Sequence, residues 1–487
     1  MKVLDTLLQD VLVTKRLGAS VDTVSSIVFD SRKVEDGVLF VAQKGVLSDG
    51  HLFIDKAISL GATVVVCEDL PSEINSEVHY VQVKDSNIAL AVIASNYYDN
   101  PSSKLKLVGV TGTNGKTTVA SLLYALFEKG GYKTGLLSTV KVMVSNVQYP
   151  ATHTTPDSLA INAYLAKMVD EGVTHCFMEV SSHGIHQSRT EGLCFDGGVF
   201  TNLSHDHLDY HKTFAAYRDV KKQFFDTLSK DAFALANVDD RNGKILLQNT
   251  KAQKKTYALK SMADYTAKVV EKNFSGMLMQ LDTYEVWVRL IGGFNAYNLL
   301  SVYAVAKELG FSQEHLLTEL SSLQSVDGRF EYRQSSKGII TIVDYAHTPD
   351  ALQNVLETIS EIRSGKESLI TVMGCGGDRD NDKRSKMGNI ASVMSDQVVF
   401  TSDNPRFEDP NEVLLQIEQG VQEENQYKVL SIVDRRQAIK TALRFANQGD
   451  IVLVAGKGHE NYQDIKGVKI HFDDKEVIAE VLKELNK

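Results

Sequence analysis

Residues Gly112-Thr113-Asn114-Gly115-Lys116-Thr117-Thr118 have the composition of a loop that holds a triphosphate. A glycine-rich turn between a strand and a helix points backbone N–H groups at phosphate oxygens, and the helix N-terminus adds its positive end. Lys116 would reach the outer phosphates, and Thr117 would offer its hydroxyl to Mg2+. The first glycine of the common pattern should stand six residues before the lysine, and that position is Val110. The loop is therefore a variant, and nucleotide binding alone leaves the reaction open.

Other residues add chemistry around it. Glu179 closes an apolar run, where a carboxylate could ligate Mg2+ directly or through water, or could be a solvated loop acid. The stretch Ser204-His205-Asp206-His207-Leu208-Asp209-Tyr210-His211 is dense in His and Asp. His205, His207 and His211 have a spacing zinc could use, but beside a triphosphate the expected metal is Mg2+, with one histidine near the phosphates. Lys221 falls inside the apolar stripe Phe214, Tyr217, Phe224, Phe225 and Leu228. A buried lysine is costly unless it is paired, snorkels or loses its charge. A neutral amine can capture CO2 as a carbamate, which turns a cation into an anionic oxygen ligand.

Four polar loops follow apolar runs near the C-terminus: Asp344-Tyr345-Ala346-His347, Gly374-Cys375-Gly376-Gly377-Asp378-Arg379, Asp403-Asn404-Pro405-Arg406 and Gly456-Lys457-Gly458-His459-Glu460. Arg379 and Arg406 could each grip a carboxylate, and Glu460 could accept an ammonium. Singly each arginine could be a surface ion pair. Together the loops describe a pocket for a zwitterion.

Positioning these residues requires strands that end beside one another. Leu105 to Val110 before the loop read as a short buried strand, and Val119, Leu122, Leu123 and Leu126 as a helix that stops at Gly130. Further strands are expected over 26–29, 38–42, 63–67, 175–180, 198–201, 339–343, 369–373, 398–400 and 451–454, and in open α/β sheets ligands gather at such strand ends. The expected organisation is three α/β domains: 1–100, 101–331 with a P-loop ATPase-like parallel sheet, and 332–487 with a Rossmann-like sheet.

Bulk composition restricts the function. The 487 residues carry a net charge of −10, which argues against generic nucleic-acid binding. No apolar run reaches the roughly 20 residues of a membrane span. Asp5 and Asp10 interrupt the N-terminus where a signal peptide needs apolar residues. Cys67, Cys176, Cys194 and Cys375 have neither zinc-finger nor disulfide-framework spacing. A monomer in the cytoplasm is expected, with small-molecule substrates.

Over nearly its whole length the chain resembles the Mur ligases of peptidoglycan synthesis, and among them those that extend UDP-N-acetylmuramoyl-L-alanyl-D-glutamate. The resemblance is carried by 111–118 with its unusual spacing, by Glu179-Val180-Ser181-Ser182-His183-Gly184, Asp206-His207-Leu208-Asp209-Tyr210-His211 and Phe294-Asn295-Ala296-Tyr297-Asn298, and by Gly328-Arg329 and Asp344-Tyr345-Ala346-His347-Thr348-Pro349. It implies that Thr111, Gly112, Thr113, Asn114, Gly115, Lys116, Thr117 and Thr118 hold ATP, with Asn295, Asn298, Arg329, Asp344 and His347 contacting it across a domain junction. It further implies Mg2+ at Thr117, Glu179 and His207, and a carbamylated Lys221. Ser31, in Asp30-Ser31-Arg32, matches the residue binding the uridine end. His153, Thr154, Thr155, Ser181, Gln187 and Arg189 match positions that hold the muramoyl-dipeptide, although His153 stands where many relatives have asparagine.

The added amino acid turns on Asp403, Asn404, Pro405 and Arg406, which resemble the family's meso-diaminopimelate signature. Arg379, Gly456 and Glu460 match the remaining contacts. Diaminopimelate exceeds lysine by one carboxylate, which Arg406 would pair. Lysine would leave the guanidinium unpaired, at a cost of about 1–3 kcal/mol. The expected reaction activates the D-glutamate γ-carboxylate as an acyl phosphate, which the amino group then attacks. Addition of L-lysine is the nearest alternative. A folylpolyglutamate-type synthetase and a nucleotide-sensing switch are more distant ones.

Overall fold

The computed structural model describes residues 1–45, 48–204 and 206–487. The chain is α/β throughout and is built on three large sheets. Strand Lys106–Thr111 is buried along all but its first residue, so both its faces must be covered, as in a parallel sheet between helices. Its alternate residues serve two cores. Val108 and Val110 pack with Val119, Leu122 and Leu126 of helix Lys116–Lys129 and with helix Gly293–Glu308. Leu107 faces the side occupied by Phe224 and Phe225 of helix Phe214–Asp226.

In this central sheet, Lys106–Thr111 lies between His175–Glu179 and Gly197–Phe200, both parallel to it. Thr134–Leu137 continues one side, and Phe233–Asn237, Gln253–Ala258 and Tyr265–Asn273 the other. The antiparallel strands Gly276–Leu281 and Tyr284–Val288 extend this second side, an addition absent from the strands expected of the sequence. Their buried residues Met277, Met279, Leu281, Val286 and Val288 alternate with more exposed ones, the period of a sheet covered on one face.

The N-terminal sheet orders Val13–Gly18, His79–Val83, Ala62–Cys67, Val38–Val41 and Ile27–Val28, with only the first strand antiparallel to its neighbour. The C-terminal sheet orders Glu331–Gln334, Ile340–Asp344, Ile451–Ala455, Leu369–Met373, Gln397–Phe400 and Val429–Ser431. Its parallel strands deliver the four polar loops to one edge, because parallel strands all end on the same side.

One buried ion pair ties this third unit together. Arg435 and Asp474, both fully buried, form a bidentate pair with two bonds of 2.7 Å between helices Arg435–Phe445 and Asp474–Glu484. Breaking such a pair strands a buried charge, so Asp474→Ala is expected to destabilise the protein by about 3–5 kcal/mol. Denaturant titration measures it. Among the described residues no helix is long and apolar enough to cross a membrane.

Candidate active site at the strand ends

The loop after Lys106–Thr111 is moulded by Thr201 and Asn202, at the end of the neighbouring strand. The Thr113 N–H donates to the Asn202 carbonyl at 2.8 Å, the Asn114 N–H to Asn202 Oδ1 at 2.9 Å, and Thr201 Oγ1 to the Asn114 carbonyl at 2.6 Å. Two glycines are obligatory here. A Cβ on Gly112 (φ 152°) would stand 1.9 Å from Thr201 Oγ1, and one on Gly115 (φ 87°) would stand 2.6 Å from Asn298 Oδ1. Lys116 Nζ does not extend outward. It arches back to donate to the carbonyls of Gly112 at 3.0 Å and Thr113 at 2.8 Å, the nearest acceptors for its protons. Thr118 is buried in the first turn of the helix.

Thr117 lies at the centre of a web of oxygens. Its hydroxyl donates to Glu179 Oε2 at 3.0 Å and accepts from Arg329 Nη2 at 3.2 Å. Glu179 is fully buried, with its Oε1 accepting the Thr139 N–H at 2.7 Å. Thr139 Oγ1 reaches both Glu179 Oε2 at 3.2 Å and Thr154 Oγ1 at 3.0 Å. The web continues through Thr155, whose hydroxyl donates to the Glu179 carbonyl at 2.8 Å and accepts the Ser181 N–H at 2.9 Å. Arg189 donates to the Thr155 carbonyl at 2.6 Å and grips Gln187 Oε1 with two further bonds. His153 is exposed beside them.

Helix Leu208–His211 and the residues before it bring imidazoles together. The His207 ring lies 4.9 Å from that of His183, and its Nε2 is 3.4 Å from Asp206 Oδ2. His211 Nε2 is 3.0 Å from Ser182 Oγ. His205 lies outside the described residues, and with it the three-histidine alternative. Among the described residues no group of three His, Cys, Asp or Glu side chains is placed to hold a metal.

Lys221 is 1% exposed. Its Nζ donates to the Gly112 carbonyl at 2.9 Å, approaches Thr111 Oγ1 at 3.5 Å and lies over the Tyr217 ring. Burial pushes the amine well below the usual lysine range, and the Lys116 charge adds to the shift. Among the described residues no carboxylate forms an ion pair with it. The apolar stripe therefore buries Lys221 against the floor of the glycine loop.

The third domain meets this floor through Arg329, whose guanidinium stacks on Tyr345 at 4.5 Å and whose buried Nε has no partner. Burial raises Asp344 to about 6 against the opposing pull of Arg329, and Asp344 Oδ2 accepts the Phe330 N–H at 2.6 Å. His347 is pushed down to about 4 by burial, with the Lys383 charge acting the same way. Its Nδ1 is 2.8 Å from the Tyr345 carbonyl. Asn298 Nδ2 donates to Asn295 Oδ1 at 3.0 Å, and Asn295 Nδ2 to the Ile291 carbonyl at 2.8 Å.

Farther along the same edge, Asp403, Asn404 and Pro405 are buried while Arg406 is half-buried in a left-handed conformation (φ 51°). Arg406 Nη1 donates to the Gly377 carbonyl at 2.6 Å, and the Gly377 N–H donates to the Asn404 carbonyl at 2.9 Å. The loop bearing the exposed Arg379 is thus stitched to the loop bearing Arg406. Gly456 (φ 113°) leaves room for Asp403, since a Cβ there would lie 2.6 Å from Asp403 Oδ2. Glu460 Oε2 accepts from Asn404 Nδ2 at 2.7 Å. Ser31 is buried in the first domain at the start of the turn Ser31–Lys33, whose cap Asp30 accepts the Arg32 N–H at 3.0 Å. The Arg32 guanidinium beside Asp30 holds that carboxyl down to about 2.

Sequence reasoning missed several participants. Thr139 supplies two bonds to Glu179. Asp350 Oδ2 accepts from Asn114 Nδ2 at 2.7 Å and Ser204 Oγ at 3.0 Å, which joins helix Pro349–Ile362 to the glycine loop. Fully buried Arg384 donates to both oxygens of Glu408, at 2.8 and 2.9 Å, and to the Gly376 carbonyl at 3.1 Å, under the loop that carries Arg379. Only an arginine in an otherwise helical stretch signalled the last of these.

Comparison with known proteins identifies the family. Three family models match: "Mur ligase family, catalytic domain" over residues 23–98, "Mur ligase middle domain" over 110–306, and "Mur ligase, glutamate ligase domain" over 328–458. A UDP-N-acetylmuramoyl-L-alanyl-D-glutamate–2,6-diaminopimelate ligase of Cytophaga hutchinsonii is 56% identical over 465 residues, 95% of this chain and 96% of that one. A protein of the same name from Phocaeicola vulgatus is 52% identical, covering 98% of this chain and 99% of its own. A solved structure under that name superposes with a TM-score of 0.68 at 32% identity and covers 96% of both chains. The folylpolyglutamate synthase of Mycobacterium tuberculosis shares the fold, with a TM-score of 0.63 at 18% identity over 77% of this chain and 92% of that one. With three family models in chain order and full-length relatives above half identity, the chain belongs to the Mur ligase family.

Proposed function

We propose that this chain is an ATP-dependent amide-forming ligase that adds meso-diaminopimelate to the D-glutamate γ-carboxylate of UDP-N-acetylmuramoyl-L-alanyl-D-glutamate. One observation carries the reading. Arg406 and Arg379 sit on loops stitched together at the edge of the third sheet, in a chain whose full-length relatives are named 2,6-diaminopimelate ligases. In this reading residues 1–100 take the uridine end through Ser31, residues 101–331 hold ATP, and residues 332–487 present the amino acid. The chain works as a monomer in the cytoplasm, a compartment that suits four unpaired cysteines.

The glycine loop fits a triphosphate because a side chain at Gly112 or Gly115 would fill the cradle. Thr117 and Glu179 offer hard oxygens 3.0 Å apart that would suit Mg2+, and His207 and a carbamate on Lys221 would be further ligands. When bound, Mg2+ screens the negative charge of the phosphates. Lys116 swings from its own loop to the outer phosphates, which stabilises charge as the γ-carboxylate attacks phosphorus. ADP departs and an acyl phosphate forms. Thr154, Thr155, Ser181, Gln187 and Arg189 orient the muramoyl-dipeptide, and His153 lies at the rim. Arg329, Asn295, Asn298, Asp344 and His347 close on the nucleotide. Asp403, Asn404, Pro405, Arg406, Arg379, Gly456 and Glu460 hold the amino acid so that its amine attacks the activated carbonyl and releases phosphate. Closure keeps water from the acyl phosphate.

The test is amide formation from ATP and the muramoyl-dipeptide, with meso-diaminopimelate and L-lysine offered in parallel. The expected result is product with diaminopimelate, with phosphate released only when both acceptor and amine are present. Hydrolysis indifferent to both, or faster turnover of lysine, would overturn the reading.

A further inference from the structure

Lys457 is wholly buried at the heart of the third domain's loop cluster. It follows strand Ile451–Ala455 between two glycines with positive φ, Gly456 and Gly458. Its Nζ lies 3.2 Å from Glu460 Oε2, 3.1 Å from Asn404 Oδ1 and 3.9 Å from Asp403 Oδ1, and 5.5 Å from the Tyr462 ring centre. A group so enclosed does not reach a substrate. It reaches the groups that would.

This placement has two consequences. First, Lys457 fixes the Asn404 amide: Oδ1 accepts from Lys457 and from the Asp464 N–H at 2.9 Å, which leaves Nδ2 to donate to Glu460. Second, it sets the charge of the pocket. Asp403, Glu460 and Asp474 are three carboxylates gathered with two cations, Lys457 and Arg435, and Arg435 is itself locked on Asp474. Among the described residues, Tyr345, whose hydroxyl is 3.5 Å from Glu460 Oε1, Tyr462 and the buried Cys375 thiol also face this cluster. Lys457 is thus the ammonium within reach of both Asp403 and Glu460, while Arg435 is taken up by Asp474.

We propose that Lys457 is a positioning residue for amino-acid recognition, holding Asp403, Asn404 and Glu460 in one array. This rests on the ligase reading above and names the group that shapes its amino-acid subsite. Without Lys457, the Asn404 amide loses the donor that fixes its orientation, and Asp403 and Glu460 lose the ammonium that both approach.

The experiment measures steady-state kinetics of the full chain and of Lys457→Met and Lys457→Gln. Each variant is expected to raise KM for diaminopimelate by at least about tenfold, with kcat within about threefold and KM for ATP and the muramoyl-dipeptide unchanged. An unchanged KM for the amino acid overturns the proposal, and so does a loss that falls on kcat while KM for the amino acid stays within about threefold. If both variants lose their thermal transition and their ATP affinity, Lys457 serves folding only and the proposal also falls. Failure of the wild type to form the amide would instead overturn the ligase reading itself.

Discussion

Replacing Lys221 by alanine is expected to lower kcat for amide formation by about a thousandfold, with the thermal midpoint unchanged or raised. The stability half of this expectation follows from cost. A lysine with 1% exposure and no carboxylate partner among the described residues is expensive to bury, charged or neutralised, so its removal relieves a penalty that offsets the cavity left behind. The activity half follows from place. Lys221 Nζ touches the carbonyl of Gly112, on the floor of the loop proposed to hold the triphosphate. Such an amine, kept neutral by its surroundings, adds to the carbon of CO2, forms an N–C bond and releases a proton. The carbamate proposed for Lys221 would put an anionic oxygen beyond the amine nitrogen. The wild type freed of CO2 should therefore lose activity and regain it with bicarbonate, and isotopically labelled bicarbonate should give a bound carbamate signal that Lys221→Ala lacks. If bicarbonate has no effect and no label binds, Lys221 acts only as a donor to Gly112, and the carbamate is excluded.

Local signals made much of this fold legible. The strand before the glycine loop, the helix ending at Gly130 and the apolar runs of the third sheet are contiguous stretches whose periodicity declares them. Lys221 was legible too, because a lysine in an apolar stripe breaks the pattern. Pairings made across the fold were not. Thr139 meets Glu179 because strands Thr134–Leu137 and His175–Glu179 run parallel in a register that aligns Leu137 with Met178, and no spacing along the chain encodes that register. Asp350 reads as an ordinary acid in the first turn of a helix, yet its carboxylate bonds the glycine loop 236 residues away. Lys457 between two glycines reads as an exposed loop lysine. Only the convergence of neighbouring strand ends buries it. The antiparallel strands Gly276–Leu281 and Tyr284–Val288 did carry a period-two signal, at Met277, Met279 and Leu281, but it is short and flanked by polar residues.

The second large effect concerns which amino acid is added. Arg406→Ala is expected to lower kcat/KM for meso-diaminopimelate by about 10- to 100-fold while raising the slow turnover of L-lysine. Arg406 is held by its backbone as much as by its side chain. Its N–H donates to the Asp464 carbonyl at 3.0 Å and its carbonyl accepts the Lys466 N–H at 2.7 Å, so the loop is clamped by the strand Tyr462–Ile465 and the residues beyond it. The left-handed φ of 51° is costly for an arginine and easy for a small residue only when that residue is glycine. That cost is accepted where the side chain is needed. The guanidinium keeps one bond to the Gly377 carbonyl and has further donors for a carboxylate, which geometry favours as a bidentate pair. Diaminopimelate supplies that carboxylate at its distal centre, and lysine does not. With lysine bound, a half-buried guanidinium would lose water without gaining a partner, at about 1–3 kcal/mol. Truncation to alanine removes both the gain and the penalty, so the two substrates should converge. Parallel assays of wild type and variant with both amino acids measure this convergence. A diaminopimelate-to-lysine ratio that survives the substitution would move the origin of specificity to Arg379 or to the Asp403–Glu460 array.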